Sequence, residues 1–179
     1  MADFKKALKK LFEVEFGNNP KLALHKVEGD SGGLTYKGIA RNKNKDWGGW
    51  AIIDAHQGKP EDLENNKPLQ DLVEQFYKKR YWLAIRGQDI QNQEVAENIF
   101  LFGVNAGVYT AIKRAQKIVG VKEDGIIGTN TIKAINNFDP KEFCQRYTAL
   151  EKEFYRKLVN KNPALAKFLK GWENRAEVV

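Results

Sequence analysis

The chain has 179 residues, 42% of them hydrophobic, which is enough for one ordinary domain or two small lobes with a real core. Thirty Lys and Arg against 23 Asp and Glu leave a net charge of +7, so the surface of this soluble globular protein favours polyanions: nucleic acid, the anionic bacterial cell wall or a membrane face. The single cysteine, Cys144, excludes an intrachain disulfide, and the absence of a His-Cys cluster at metal-ligand spacing argues against a structural zinc site or any metal cofactor.

Phe4, Ala7, Leu8, Leu11 and Phe12 recur at i, i+3, i+4, i+7 and i+8, with lysines on the other faces, and predict a first helix. On its wheel Glu13 follows Lys9 and Lys10 as a solvated partner, whereas Glu15 follows Leu8, Leu11 and Phe12 along the apolar face. Because Lys5-Lys6 and Lys9-Lys10 interrupt every apolar run here, no signal-peptide core is expected, and no apolar run in the chain is long enough to span a bilayer. A target outside the cytoplasm then requires a separate route of release.

Gly17-Asn18-Asn19-Pro20 ends the helix, since glycine and asparagine accept left-handed caps and proline constrains its predecessor. Residues 21–36 read as loop with a short hairpin between Leu22 and Leu34, and residues 43–50 as an exposed excursion carrying two indoles, Trp47 and Trp50. A helix begins at Ala51 and is closed by Gly58-Lys59-Pro60. Leu69, Leu72, Val73, Phe76 and Tyr77 predict a third helix that continues through Tyr81-Trp82 and stops before Gly87.

The polar stretch Gln88 to Gln93 marks the expected lobe boundary, between a catalytic region over 1–87 and a helical region over 88–179 packed with it as one compact unit. Val95 to Val108 reads as a buried helix, Ile99, Phe102 and Val104 facing inward and Asn105 its one conspicuous polar residue. A helix over Tyr109–Val119 follows, then an Asp124-Gly125 turn and a helix capped by Thr129-Asn130-Thr131. Asp139-Pro140 starts a long helix striped with Phe143, Tyr147, Leu150, Phe154 and Leu158, and Pro163 opens a last one ending near Trp172 to Arg175. Strand signals are few, so the fold class is mainly α with a small β-hairpin near residues 22–36.

Among chemistry-bearing groups, a carboxyl at position 15 on an apolar face beside a glycine-rich segment is desolvated, which raises its pKa and suits it to general acid work; the plain alternative is a Glu paired to a nearby cation. Asp30 and Thr35 flank Gly32-Gly33 and can face one space, as two carboxylates do across a glycosidic bond, or can simply cap a turn and sit in a strand, and Glu28 competes with Asp30. Trp47, Trp50, Tyr81 and Trp82 can stack on sugars or bases, Tyr81 and Trp82 fitting a core equally well. Asn105 suits a substrate contact or a satisfied core amide, and His25 and His56 read as surface residues. The basic runs read as solvated helix faces, without a nucleic-acid fingerprint.

Glu15-x-Gly17, followed by Asp30-x-Gly32-Gly33-x-Thr35-x-x-Gly38-Ile39, resembles the Glu-Gly-Gly and Asp-x-Gly-Gly-x-Thr-x-x-Gly-Ile signature of glycoside hydrolase family 108, lysozyme-like N-acetylmuramidases of phage endolysins and secretion activators. The resemblance continues through Trp47-x-x-Trp50, Tyr81-Trp82, Val104-Asn105-x-Gly107 and Ala115-Gln116. It then takes in Asp124-Gly125-Ile126-Ile127-Gly128-x-x-Thr131, similar to that family's C-terminal predicted peptidoglycan-binding region, and ends at Gly171-Trp172-x-x-Arg175.

The resemblance implies a lysozyme-like fold and cleavage of the β-1,4 bond between N-acetylmuramic acid and N-acetylglucosamine, with Glu15 as proton donor and Asp30 and Thr35 positioning water or steadying an oxocarbenium ion. Gly33, Tyr36, Trp47, Trp50, Tyr81 and Asn105 are the expected substrate contacts. It also implies a monomer, without cofactor, that is made in the cytoplasm and reaches the wall with help from a holin or export system. Two positions depart from the pattern: Phe16 replaces the first glycine of Glu-Gly-Gly, and Leu101 stands where relatives often carry Asp. A non-catalytic wall-binding or secretion-accessory module and a lytic transglycosylase are the alternatives.

Overall fold

A computed structural model describes residues 1–17, 23–26 and 32–177. The chain is mainly helical with one small sheet, as the sequence pattern predicts. It divides into two compact units: Leu11–Lys78, and Met1–Lys10 together with Lys79–Val179. Helix α1 (Phe4–Phe16) contributes residues to both.

In the Leu11–Lys78 unit, α1 ends where Gly17 takes a φ of +54°, the left-handed conformation expected of a glycine terminator. Strands β1 (Leu24–Lys26), β2 (Leu34–Tyr36) and β3 (Ile39–Ala40) form an antiparallel sheet in that order, with Leu24 opposite Tyr36 and Tyr36 opposite Ile39. The expected hairpin is thus extended by a third strand. Its β2–β3 connection is the two-residue turn Lys37-Gly38, both at positive φ (44° and 79°), the backbone that matches strand twist in a tight hairpin. Glycine is doubly required at 38, because a Cβ there would lie 2.6 Å from the Tyr77 hydroxyl.

Helix α2 (Gly49–Ala55) and helix α3 (Lys67–Tyr77) complete this unit. Asn66 caps α3 by accepting a hydrogen bond from Leu69 N at 3.0 Å, and the i, i+4, i+8 series Leu69, Val73, Tyr77 is buried. A π-helical turn, Lys78–Trp82, continues the chain beyond it, so the third predicted helix changes its winding before Tyr81-Trp82.

The other unit is a helical assembly around α4 (Gln93–Ala106), which starts at an Asn92 cap and is buried without interruption from Val95 to Gly103. A helix apolar on all sides must be enclosed. It packs with α5 (Val108–Ile118) and α7 (Pro140–Lys161), the latter also packing with α8 (Ala166–Ala176), while α6 (Thr129–Asn137) lies against α5. Gly103 brings α4 within ordinary contact of Ala111 on α5, and Gly107, at φ +91°, turns the chain between them. Asp139 caps α7 by accepting from Glu142 N at 2.7 Å, with Pro140 at its first position.

Rings fill this core: Phe4, Trp82 and Phe100 meet at 5.7 to 6.1 Å, and Phe102 meets Tyr147, Phe154 and Tyr155. Each such buried ring contributes roughly 1.5–3 kcal/mol. Two local expectations are corrected. Helix α6 is preceded by Gly128 with no side-chain cap, because Thr131 instead turns inward, where Gln116 donates to its hydroxyl. The buried stripe of α7 is Phe143, Tyr147, Glu151 and Tyr155, leaving Leu150, Phe154 and Leu158 half-buried.

Candidate active site

Glu15 lies in the last turn of α1, three residues after Phe12 and next to Phe16. The two phenyl rings sit 5.9 Å apart, and Phe12 also meets the edge of Tyr77 at 5.6 Å. Glu13 and Glu15 are both half-buried, so the wheel's contrast between a solvated and an inward acid is weaker than predicted; the Oε1 atom of Glu15 is wholly shielded from solvent. Phe16, the departure from the glycine pattern, is part of the aromatic wall beside the acid.

The β2–β3 turn is clamped to this wall. Lys37, 9% exposed, holds its Nζ 5.0 Å from the centre of the Phe12 ring, donating to Glu64 Oε2 at 2.7 Å and to Gln70 Oε1 at 2.8 Å. Tyr77 donates its hydroxyl to Lys37 O at 2.6 Å, and Lys37 N donates to Ala23 O at 2.7 Å. Gln70 Nε2 donates to the Tyr36 hydroxyl at 2.9 Å and to Leu63 O. Burial first, and the Glu64 charge after it, push the Tyr36 phenol up to about 12 against the opposing Gln70 hydrogen bond, which keeps it neutral.

Sequence reasoning passed over Lys37, Glu64, Gln70 and Tyr77 as site-forming residues. The available signal was the pair Lys37-Gly38, a two-residue turn between apolar strands.

Thr35 is buried on β2, its Oγ1 3.4 Å from Gly33 O. Gly33 takes a φ of +69°, and a Cβ on it would lie 2.9 Å from Asn42 Nδ2, while Asn42 N donates to Gly32 O. The glycine pair therefore closes the loop onto Asn42. Asp30 and its competitor Glu28 lie outside the described residues.

Tyr36, Trp47 and Trp50 are brought together: Tyr36 stacks on Trp47 at 6.5 Å, and Trp47 meets Trp50 edge-on at 5.0 Å. Residues 43–50 are not the expected exposed excursion at their indoles. Trp50 is 4% exposed, because its Nε1 finds Asn44 O at 2.7 Å, and Trp47 is half-buried, its Nε1 donating to Leu72 O. Tyr36 and Trp50 support the site from within the core, and Trp47 is the ring of the three that keeps partial exposure.

Tyr81 and Asn105 belong to the other unit. Tyr81 is half-exposed on the π-helical turn. Asn105 is exposed and accepts from Arg175 Nη1 at 3.3 Å, so it is not a core amide; Leu101, the second departure from the pattern, is a buried apolar residue of α4. His25 is exposed and His56 half-buried, its Nε2 2.9 Å from Lys59 O. Among the described residues no group of three His, Cys, Asp or Glu is placed to hold a metal ion, and no helix is long and apolar enough to cross a membrane.

Comparison with known proteins divides the chain at a different place, after α4. Residues 23–107 match the glycosyl hydrolase 108 family, and residues 110–177 match a family described as a predicted peptidoglycan domain. The hydrolase match begins after Glu15. The solved structure of Brucella abortus SagA shares the fold, with a TM-score of 0.66 at 21% identity over 97% of this chain and 89% of that one. No curated protein sequence matches the chain. The two matches, in this order, make the chain similar to glycosyl hydrolase 108 proteins followed by a predicted peptidoglycan domain, and they support a glycoside hydrolase that acts on peptidoglycan.

Proposed function

We propose that the protein is an N-acetylmuramidase that cleaves the β-1,4 bond between N-acetylmuramic acid and N-acetylglucosamine, with Glu15 protonating the leaving oxygen. The observation that carries this reading is the shielded carboxyl oxygen of Glu15 at the end of α1, on the turn that bears Phe12 and Phe16. A carboxyl so placed meets the sugar oxygen in an apolar setting, where solvation by water competes poorly with proton transfer. Thr35, and Asp30 five residues before it in the sequence, act on the attacking water or on the developing positive charge at the sugar ring. Trp47 offers the half-exposed ring face for sugar stacking, with Gly33 letting backbone approach the strand; Tyr81 and Asn105 supply further contacts.

Digestion of purified peptidoglycan by wild type and Glu15→Gln, with mass spectrometry of the products, tests this reading. Wild type should release reducing N-acetylmuramic ends and the variant none, at an unchanged thermal melt. Lysis retained in Glu15→Gln overturns the assignment, and anhydro-muramic ends would make the reaction a transglycosylation. The charge of +7 favours encounter with the anionic wall, which the protein reaches as a monomer by a release route such as a holin.

A further inference from the structure

A pocket of about 250 Å³ lies between α5 and α7, within the predicted peptidoglycan domain. Arg114 forms its inner wall. The guanidinium packs against the edge-to-face pair Phe102 and Phe154, 4.8 and 4.6 Å from the ring centres, and Nη1 donates to Thr110 O at 3.1 Å. Its Nε is buried without a hydrogen-bond partner.

Lys113, Lys117 and Lys157 share the lining, against two carboxylates, Glu123 and Glu153, of which Glu153 is already engaged by Lys157 at 2.5 Å. The pocket is thus net cationic. Its mouth is also built rather than incidental. Tyr109, 60% exposed, lies over Gly125, and Ile126 beside it is 71% exposed. The loop that carries Gly125 and Ile126 is fixed by the buried Gln116 amide, which donates to Asp124 Oδ1 and Ile126 O and accepts from Gly125 N at 2.8 Å. Rigid apolar side chains beside a buried guanidinium suit a ligand that is part apolar and part carboxylate.

We propose that this pocket binds the free carboxylates of peptidoglycan stem peptides, with Arg114 as anchor and Lys113 and Lys117 at the rim. The inference rests on the peptidoglycan reading of the C-terminal domain. The planar fork of Arg matches a carboxylate in two-point contact, and the volume, below that of a drug-sized site, admits one or two amino-acid residues and not a glycan strand. Two carboxylates in the lining disfavour a doubly charged phosphate more than a singly charged carboxylate.

The test uses the full chain in two assays: sedimentation with purified sacculi, and calorimetric titration with a stem tetrapeptide carrying free carboxylates, the same peptide amidated, and glycerol phosphate. The free tetrapeptide should bind, the amidated one at least about tenfold more weakly, and Arg114→Gln should cost about tenfold, as expected for one charge-assisted hydrogen bond. Lys113→Gln combined with Lys117→Gln, on the outer positions of α5, should weaken binding in the same direction whether or not Arg114→Gln folds. Equal binding of the amidated peptide, tighter binding of glycerol phosphate, or full affinity in the double lysine variant overturns the proposal. Wild type that sediments with sacculi but does not bind the tetrapeptide overturns the pocket alone. Failure to sediment overturns the peptidoglycan reading beneath it.

Discussion

The two units are held together by different means. In the Leu11–Lys78 unit a short sheet with a two-residue turn is secured by polar clamps: Lys37 to Glu64 and Gln70, Tyr77 to Lys37 O, Gln70 to Tyr36. In the other unit one buried helix, α4, is enclosed by helices whose rings interlock, and its polar clamps, such as Gln116, secure loops at the edge. Strands of two or three residues bury too little surface to hold position by packing alone. Geometry around the acid is therefore specified by directional bonds, whereas the helical unit is specified by volume and ring contacts.

The sharpest way to break this contrast is chemical. Glu15→Gln should lower peptidoglycan hydrolysis by about 100- to 10,000-fold, the usual share of a general acid, with the melting temperature nearly unchanged. A large fall in melting temperature would instead make Glu15 part of the clamp system. Next in size is Gly38→Val, which places a β-branched side chain at φ +79° and against the Tyr77 hydroxyl. It should destabilise the protein by about 1–3 kcal/mol and reduce activity along with stability, read by denaturant unfolding. In the all-helical unit Gly128→Ala, at extended φ and in open space, should change stability by less than about 0.5 kcal/mol.

Glu151 sharpens the comparison through pH. Burial drives this carboxyl from 4.5 up to about 8, against the pull of Arg114 and Arg175. The folded state therefore keeps a proton that the unfolded chain releases. Stability contributed by Glu151 is complete below pH 4.5 and is lost as pH rises to about 8, at up to about 1.4 kcal/mol per pH unit. Thermal melts from pH 5 to 9 should show this decline, and Glu151→Gln should flatten it. Asn66→Ala, which removes the α3 cap, should cost about 1 kcal/mol in the hydrogen-bonded unit, read by denaturant unfolding.

What was legible in the sequence was what neighbouring residues decide among themselves. Asp139-Pro140 announced α7, Gly17 ended α1, and the Leu69, Val73, Tyr77 spacing marked the buried face of α3, because caps and helical periodicity are settled within one or two turns. The glycine signature around Gly33 and Gly38 likewise pointed to close backbone turns. Trp50 was misread as exposed because its polar neighbours describe the loop and not where the indole goes; it finds Asn44 O six residues back. Glu151 was invisible in the α7 stripe, since it enters the core as the protonated acid, burial outweighing the pull of Arg114 and Arg175 from other helices. Arg114 and Arg175 stand far from Glu151 in sequence, as Lys37 stands from Glu64, Gln70 and Tyr77, and only tertiary folding brings each set together. By itself the sequence determined the helices, their ends and the glycine turns beside the acid; the tertiary structure decided which polar groups are buried, and what each must hold to remain so.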